Sequence, residues 1–333
     1  MTLQILNGAW PPYNRLLDQI LDESWPQWGD GLTREAYGQW NAAQLRTPWG
    51  RSRLARVALV DDGRLLASAK RYRFTVLLDG QQVSATGIGA VFTPPAERGR
   101  GHASRLIEQL CDEGRADGCA LAMLFSEIGS AYYERLGFRV VPHSTSDITV
   151  KTKDGAPAVL VRAGEQRDAA SVAETHVRRV EHYRFGLVPD ADQVNYSVAK
   201  KRMLAGLDPT GRRTVEYFVT EEGCQAVAFV LLQVTRPQRP GDPEGWSLAA
   251  CGDRDPEGAR IGAMLQVLLA RHPGERPPVI RAWWPEGLRP PQLEITRRGQ
   301  AAEIMMIRPL REGLHVEPWL DEGDTFWWHG DAF

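Results

Sequence analysis

The stretch GIGAVFTPPAERGRGHASRLIEQL, residues 87–110, constrains this chain more than any other. It opens as an apolar run, breaks at Pro94-Pro95, passes through Gly99 and Gly101, and then repeats apolar residues at Ala103, Leu106, Ile107 and Leu110. That i, i+3, i+4, i+7 spacing is the buried stripe of an amphipathic helix, which Gly118 is placed to end. A strand therefore feeds a glycine turn and a helix. The turn also has a chemical use. Backbone N–H groups converging at a helix N-terminus, reinforced by the helix dipole, match the oxygens of a pyrophosphate. Gly99 and Gly101 keep that approach free of side chains, while Arg98 and Arg100 add local positive charge. From residue types alone, an ordinary loop carrying solvated arginines is equally open.

The flanking segments supply the rest of a mixed α/β fold. Residues 1–50 read as helices and loops, with Leu32 and Thr33 before REAYGQWNAAQL placed as hydrophobic staple and N-cap. Asp61-Asp62-Gly63 and Leu78-Asp79-Gly80 divide the next apolar runs into an antiparallel meander of three strands, the last near 84–92. After the helix, CALAMLFS reads as a buried strand, SAYYERLG as a short helix and FRVVPHSTSDITV as one or two closing strands.

The polar stretch 151–168 places a boundary between a first domain, 1–155, and a second α/β domain, 156–333. The second contains a helical region at about 165–207, a strand pair around Glu221-Glu222-Gly223, and a strand, glycine loop and helix after Trp246. The element order of the first half thus recurs without a residue-level repeat. Asp253, Asp255 and Glu257 put negative charge where a bound pyrophosphate needs bare amides, so this half is expected to hold none.

Other features narrow the class of partner. Forty basic and forty-two acidic residues give a net charge of −2, which gives no overall pull toward nucleic acid or an anionic membrane. Trp10, Pro11 and Pro12 interrupt any leader-like apolar run, no segment has the roughly 18 apolar residues of a span, and the expected location is the cytoplasm. Cys111, Cys119, Cys224 and Cys251 form no C-x-x-C pair and read as reduced packing residues. The seven histidines are scattered, so no metal centre is expected.

Arg98-x-x-Gly101-x-Ala103 after a strand resembles the pyrophosphate motif of the GNAT superfamily of N-acetyltransferases, Gln/Arg-x-x-Gly-x-Gly/Ala. About thirty residues on, FSEIGSAYYERLGF resembles the second signature of that family, and the likeness covers about residues 1–150. The wording of both segments looks most similar to fungal lysine ε-amino acetyltransferases and their bacterial relatives. The resemblance implies a GNAT-like mixed sheet and acetyl-coenzyme A as cosubstrate, and the recurring element order is the ground for expecting the second domain to be a degenerate copy of that fold. It implies that the amides of Arg98, Gly99, Arg100, Gly101, His102, Ala103 and Ser104 bind the pyrophosphate, and that Val91, Phe92 and Thr93 pair with the pantetheine arm. Ser126 stands where many family members have a cofactor-contacting Asn, which puts that contact in doubt. Tyr133 aligns with the tyrosine that protonates the departing thiolate, with Tyr132 beside it as packing.

Acetylating an amine also requires removal of its proton. Glu127, after the cofactor strand, is one candidate base, although a solvated loop carboxylate reads as well; Asp147 is another, with a strand-edge reading beside it. The ending WLDEGDTFWWHGDAF sets Trp319, Phe326, Trp327, Trp328 and Phe333 among Asp321, Glu322, Asp324 and Asp331. Aromatic faces and carboxylates together hold ammonium groups, so the tail is expected to enter the first domain's cleft and bring Phe333 or Asp331 near the acceptor amine. A tail that only seals the second domain is the plainer alternative. The expected activity is acetyl transfer to a primary amine of a small molecule, a cationic one such as lysine first. The alternatives are a non-catalytic coenzyme A or partner module and an enzyme of longer acyl groups.

Overall fold

Two Asp-Gly pairs, Asp62-Gly63 and Asp79-Gly80, have positive φ at both residues (46° and 75°; 46° and 78°). That is the backbone twist of a two-residue hairpin between antiparallel strands. The computed structural model that contains them describes residues 1–7, 14–151, 159–237, 244–271 and 278–333. The boundary expected at 155/156 and the Trp10-Pro11-Pro12 stretch lie outside the described residues. In the first half the strands are β1 (Thr2–Ile5), β2 (Leu54–Asp61), β3 (Arg64–Leu78), β4 (Gln81–Phe92), β5 (Leu121–Ser126), β6 (Arg139–Val140) and β7 (Ser144–Val150). The helices are α1 (Arg15–Trp28), α2 (Arg34–Arg46), α3 (Pro48–Arg53), α4 (His102–Ala116) and α5 (Ala131–Glu134). The second half has β8 (Val161–Ala163), α6 (Ala169–Val180), β9 (Phe185–Leu187), α7 (Ala191–Gly206), β10 (Arg213–Glu222), β11 (Gln225–Thr235), β12 (Gly245–Asp253), α8 (Ala259–Ala270), β13 (Ile280–Trp283), β14 (Leu293–Gln300), β15 (Ile304–Pro309) and β16 (Thr325–Phe326).

Local chemistry accounts for most of these limits. Thr33 caps α2 by accepting from the Ala36 amide at 3.1 Å, and Leu32 packs with Tyr37 in one small core. Gly101, at φ 78°, turns the chain into α4, whose Leu106, Ile107 and Leu110 are fully buried against the first sheet. The chain begins with a strand rather than a helix, because Thr2–Ile5 finds the free edge of β2.

The two sheets are each completed by the other half of the chain. The first runs β1-β2-β3-β4-β5-β15-β6, with β9 pairing the far end of β3; the second runs β14-β7-β13-β12-β11-β10-β8. A closing strand expected in the first sheet, β7, has instead crossed to the second, between β13 and β14. Its Ile148 is fully buried there opposite Ile280 and Ile295. In return β15 fills the matching place between β5 and β6, with Met305, Met306 and Ile307 fully buried. The sheets therefore do not follow a division at 155/156. The halves correspond as two GNAT-like units: β4 and β5 pair in parallel across α4, as β12 and β13 do across α8.

An unpaired β5 edge leaves a row of backbone groups and apolar side chains bare. Residues 1–155 produced alone are expected to aggregate and to show no cooperative thermal unfolding, read by gel filtration and circular dichroism. A monomer with a sharp transition would contradict the exchange.

Candidate active site

Strands β4 and β5 pair only through Ala85–Gly87 and Leu121–Met123. Beyond that point Ala90 takes φ 47°, and the register against β3 shifts between Ser68 and Lys70. Such a bulge bends a strand and frees its edge. The two strands diverge, and a groove of about 570 Å³ runs from the opening to the start of α4.

Val91, Phe92 and Thr93 form one wall of this groove, and Arg98, Gly99, Gly101, His102, Ala103 and Ser104 form its end. A Cβ at Gly99 or Gly101 would meet open space, so no side chain narrows the groove at either, and both residues lie at positive φ (76° and 78°). The arginines divide their work. Arg98 Nε donates to the Thr93 carbonyl at 3.2 Å and so braces the loop. Arg100, expected to supply free positive charge, is bound to the buried carboxylate of Glu97 at 3.1 Å, which Arg64 also meets. His102 Nε2 lies 3.5 Å from the same carboxylate. Ser126 departs from its expected place: its hydroxyl donates to the Gly129 carbonyl at 2.6 Å and accepts from the Ile128 amide, so it shapes the 127–129 loop instead of lining the groove.

Tyr133 stands where this groove meets a second cleft of about 640 Å³ and lines both. Burial, with minor contributions from Tyr132 and Glu127, pushes its hydroxyl up to about 12, so the proton stays on at neutral pH. Tyr132 is a brace, its hydroxyl 2.9 Å from that of Ser104 at the start of α4. Glu127 is exposed at the rim of the second cleft. Asp147 is remote from this opening, on β7 of the other sheet, where Arg298 holds it at 2.6 Å.

The end of the chain enters this second cleft. Phe326, Trp327 and Trp328 are buried, and Lys201 Nζ donates to the Gly330 carbonyl at 2.6 Å. Phe333 then packs its ring 4.7 Å from Tyr72, 4.8 Å from Phe74 and 5.2 Å from Phe125. Two glycines of β4 make the room. A Cβ on Gly87 would lie 2.7 Å from the Phe333 ring, and one on Gly89 would lie 3.0 Å from its carbonyl oxygen. Asp331 turns away into a small separate cavity beside Gln193 and Ser197. Asp321 and Asp324 close a turn on each other, and Trp319 donates to the Val140 carbonyl at 2.6 Å, so these residues are structural.

In the second half, Gly258 at φ 70° starts α8 as Gly101 starts α4. There the chain supplies its own anion: the Asp253 carboxylate accepts from the Asp255 and Arg260 amides, each at 2.9 Å, and pairs with the Arg260 guanidinium at 3.0 Å.

Residues 19–141 match the family model for the acetyltransferase (GNAT) domain. Over that segment, less than half of its length, the chain is similar to GNAT acetyltransferase domains. With it goes the assignment as an acyltransferase that binds coenzyme A. Solved structures share the whole outline at low identity. A GCN5-related N-acetyltransferase from Anabaena variabilis is 14% identical, with TM-score 0.64 over 93% of this chain and 73% of that one. A GCN5-related N-acetyltransferase from Kribbella flavida is 17% identical, with TM-score 0.60 over 92% and 71%. The Saccharomyces cerevisiae N-myristoyltransferase with bound myristoyl-CoA is 12% identical, with TM-score 0.53 over 92% and 82%. No curated protein matches the sequence. Among the described residues, no helix is long and apolar enough to cross a membrane.

Several cleft residues carried no signal in the sequence: Lys70, Lys200, Lys201, Glu303 and His329 all line it. They come from β3, α7, the turn before β15 and the tail, which only the tertiary fold brings together.

Titration with acetyl-coenzyme A is expected to find one site per chain, because Asp253 already fills the second anion position. Gly101→Val strains a positive-φ backbone and fills the groove, and should weaken affinity at least about tenfold. Two sites, or unchanged affinity in a folded variant, would contradict the groove assignment.

Proposed function

We propose that the protein transfers an acetyl group from acetyl-coenzyme A to a primary amine of a small molecule, by direct attack with both substrates bound. The observation that carries this reading is the meeting of Tyr133 and Phe333 in one cleft, at the mouth of a groove whose amides suit a pyrophosphate. The amides of residues 98–104 bind the pyrophosphate, and the free edge at Val91–Thr93 takes the pantetheine arm as a further strand. Bringing both reactants into one geometry supplies much of the acceleration.

Tyr133 is the acid. Its protonated hydroxyl stabilises the departing thiolate by donating to it, a role its raised pKa supports. The carboxyl group of Phe333 takes the proton of the acceptor ammonium, with Glu127 a second carboxylate at the rim. Tyr72, Phe74, Phe125 and Phe333 fill the bottom of the opening with aromatic rings, which favours a short acyl group over a long one. Free lysine heads the acceptors to be tried, on the likeness of the two motifs to lysine acetyltransferases.

Tyr133→Phe keeps the ring and removes the donor, so kcat should fall about 100-fold while the Kd for acetyl-coenzyme A stays constant. Equal turnover would return Tyr133 to packing. One alanine added after Phe333 relocates the carboxylate without removing a side chain. Thiol release in the presence of amine should then fall by a comparable factor, and near-normal turnover would sink the role given to Phe333.

A further inference from the structure

Lys70 lines the second cleft, and neither it nor its neighbour Arg56 makes an ion pair with a carboxylate among the described residues. Arg56 on β2 and Lys70 on β3 are directly opposed in register, an arrangement that like charges disfavour. Both are deeply buried, at 3% and 9% exposure. Arg56 donates one guanidinium nitrogen to the Asn41 side chain at 3.0 Å, and its other terminal nitrogen has no partner among the described residues. Lys70 donates to the Gln44 side-chain oxygen at 3.2 Å, and its ammonium lies 5.3 Å from the Trp40 ring centroid. Neither interaction supplies a negative charge.

The Phe333 carboxylate and the exposed Glu127 share this cleft, the first assigned above to the acceptor amine, and neither is within ion-pair distance of Lys70; Asp30 is held by Arg213. Glu303 is 2.9 Å from His329 Nε2, and Asp331 occupies the separate cavity. Lys200 and Lys201, which line the same cleft, turn to the tail carbonyls of Ala332 and Gly330. Lys70 is left facing the cleft, and burial, with the charges of Arg56 and Lys200, holds its ammonium well below the usual lysine range. The charged form of Lys70 is disfavoured in this low-dielectric site, and a ligand that brings the opposite charge restores it.

We propose that Lys70, backed by Arg56, binds a carboxylate of the acceptor, so that the substrates are amines that also carry a carboxylate, as free amino acids do. The inference rests on the amine-acetylation reading above and narrows its acceptor. The register supports the spacing: Lys70 pairs with Gly89, where a Cβ would lie 3.0 Å from a carboxyl oxygen of Phe333. Directly opposed residues are about 5 Å apart at Cβ. An amine delivered beside Phe333 therefore carries its second functional group over Lys70. With Lys200 and Lys201 donating to the tail, the one ammonium left to a ligand suits a monoanion better than a phosphate, which takes several donors. Polycationic acceptors meet three lysines here and are disfavoured.

The test is acetylation of a panel of free amino acids, each paired with its carboxamide, by wild type, Lys70→Met and Lys70→Arg. Wild type should favour at least one acid over its amide by about tenfold or more in kcat/KM. Lys70→Met should bring that ratio close to one by raising KM for the acid, and Lys70→Arg should restore part of it. Because Lys70→Met removes a buried cation that the fold does not neutralise, its melting temperature should not fall. Acids and amides acetylated equally by wild type would overturn the inference without any variant. So would a preference that survives Lys70→Met, or a lower melting temperature with acid and amide turnover falling together, which would assign Lys70 to the fold or to Phe333. Acetylation of no amine in the panel would overturn the amine reading itself and this inference with it.

Discussion

Everything in the first half depends on where the hydrogen bonding between β4 and β5 stops. Three residue pairs hold the strands together, and past Gly87 and Met123 they separate. A sheet split in this way must satisfy the backbone it has exposed. On one side β15 pairs with β5 as far as Ser126. On the other, the bulge at Ala90 leaves the edge of β4 for an extended ligand. In the gap lies the Phe333 ring, admitted because Gly87 and Gly89 have no side chains. The groove and the cleft are two ends of one interruption in a sheet, and Tyr133 stands at the junction because α5 begins just after β5 ends.

The second half serves this opening by position. It keeps the turn into α8 that mirrors the turn into α4, but an internal carboxylate occupies the anion position. What it contributes is β15, the α7 lysines that grip the tail, and the core that buries Trp328.

The parts governed by neighbours in sequence were legible. Asp-Gly turns, the Thr33 cap and the glycine entry into α4 follow from the φ and hydrogen-bonding demands of a few adjacent residues, and the structure has them in those places. The groove residues from Val91 to Ser104 were legible for the same reason. The exchange of β7 and β15 was not, because the choice between two sheet edges depends on which edge is vacant in three dimensions; nothing in STSDITV or IMMIRP encodes it. Lys70 was invisible for a related reason. In RLLASAKRYRF it reads as an outward residue of an amphipathic strand, yet α2 lies over that face and supplies Gln44 as its neighbour. Tail aromatics and carboxylates could be singled out as a cluster, but only the fold separates Phe333, in the cleft, from Asp331, Asp321 and Asp324 outside it.

The reciprocal exchange of strands also orders events during synthesis. When Ser126 leaves the ribosome, the strand that will lie beside it is still to be translated. At 5–20 residues per second the roughly 180 intervening residues take about 10–35 s. Throughout that interval β5 has a bare edge, and β7, already made, has no second sheet to enter. The chain has to keep two adhesive strands from finding each other or a neighbouring polysome, which makes its yield in a cell a question of chaperone supply and translation speed as much as of final stability.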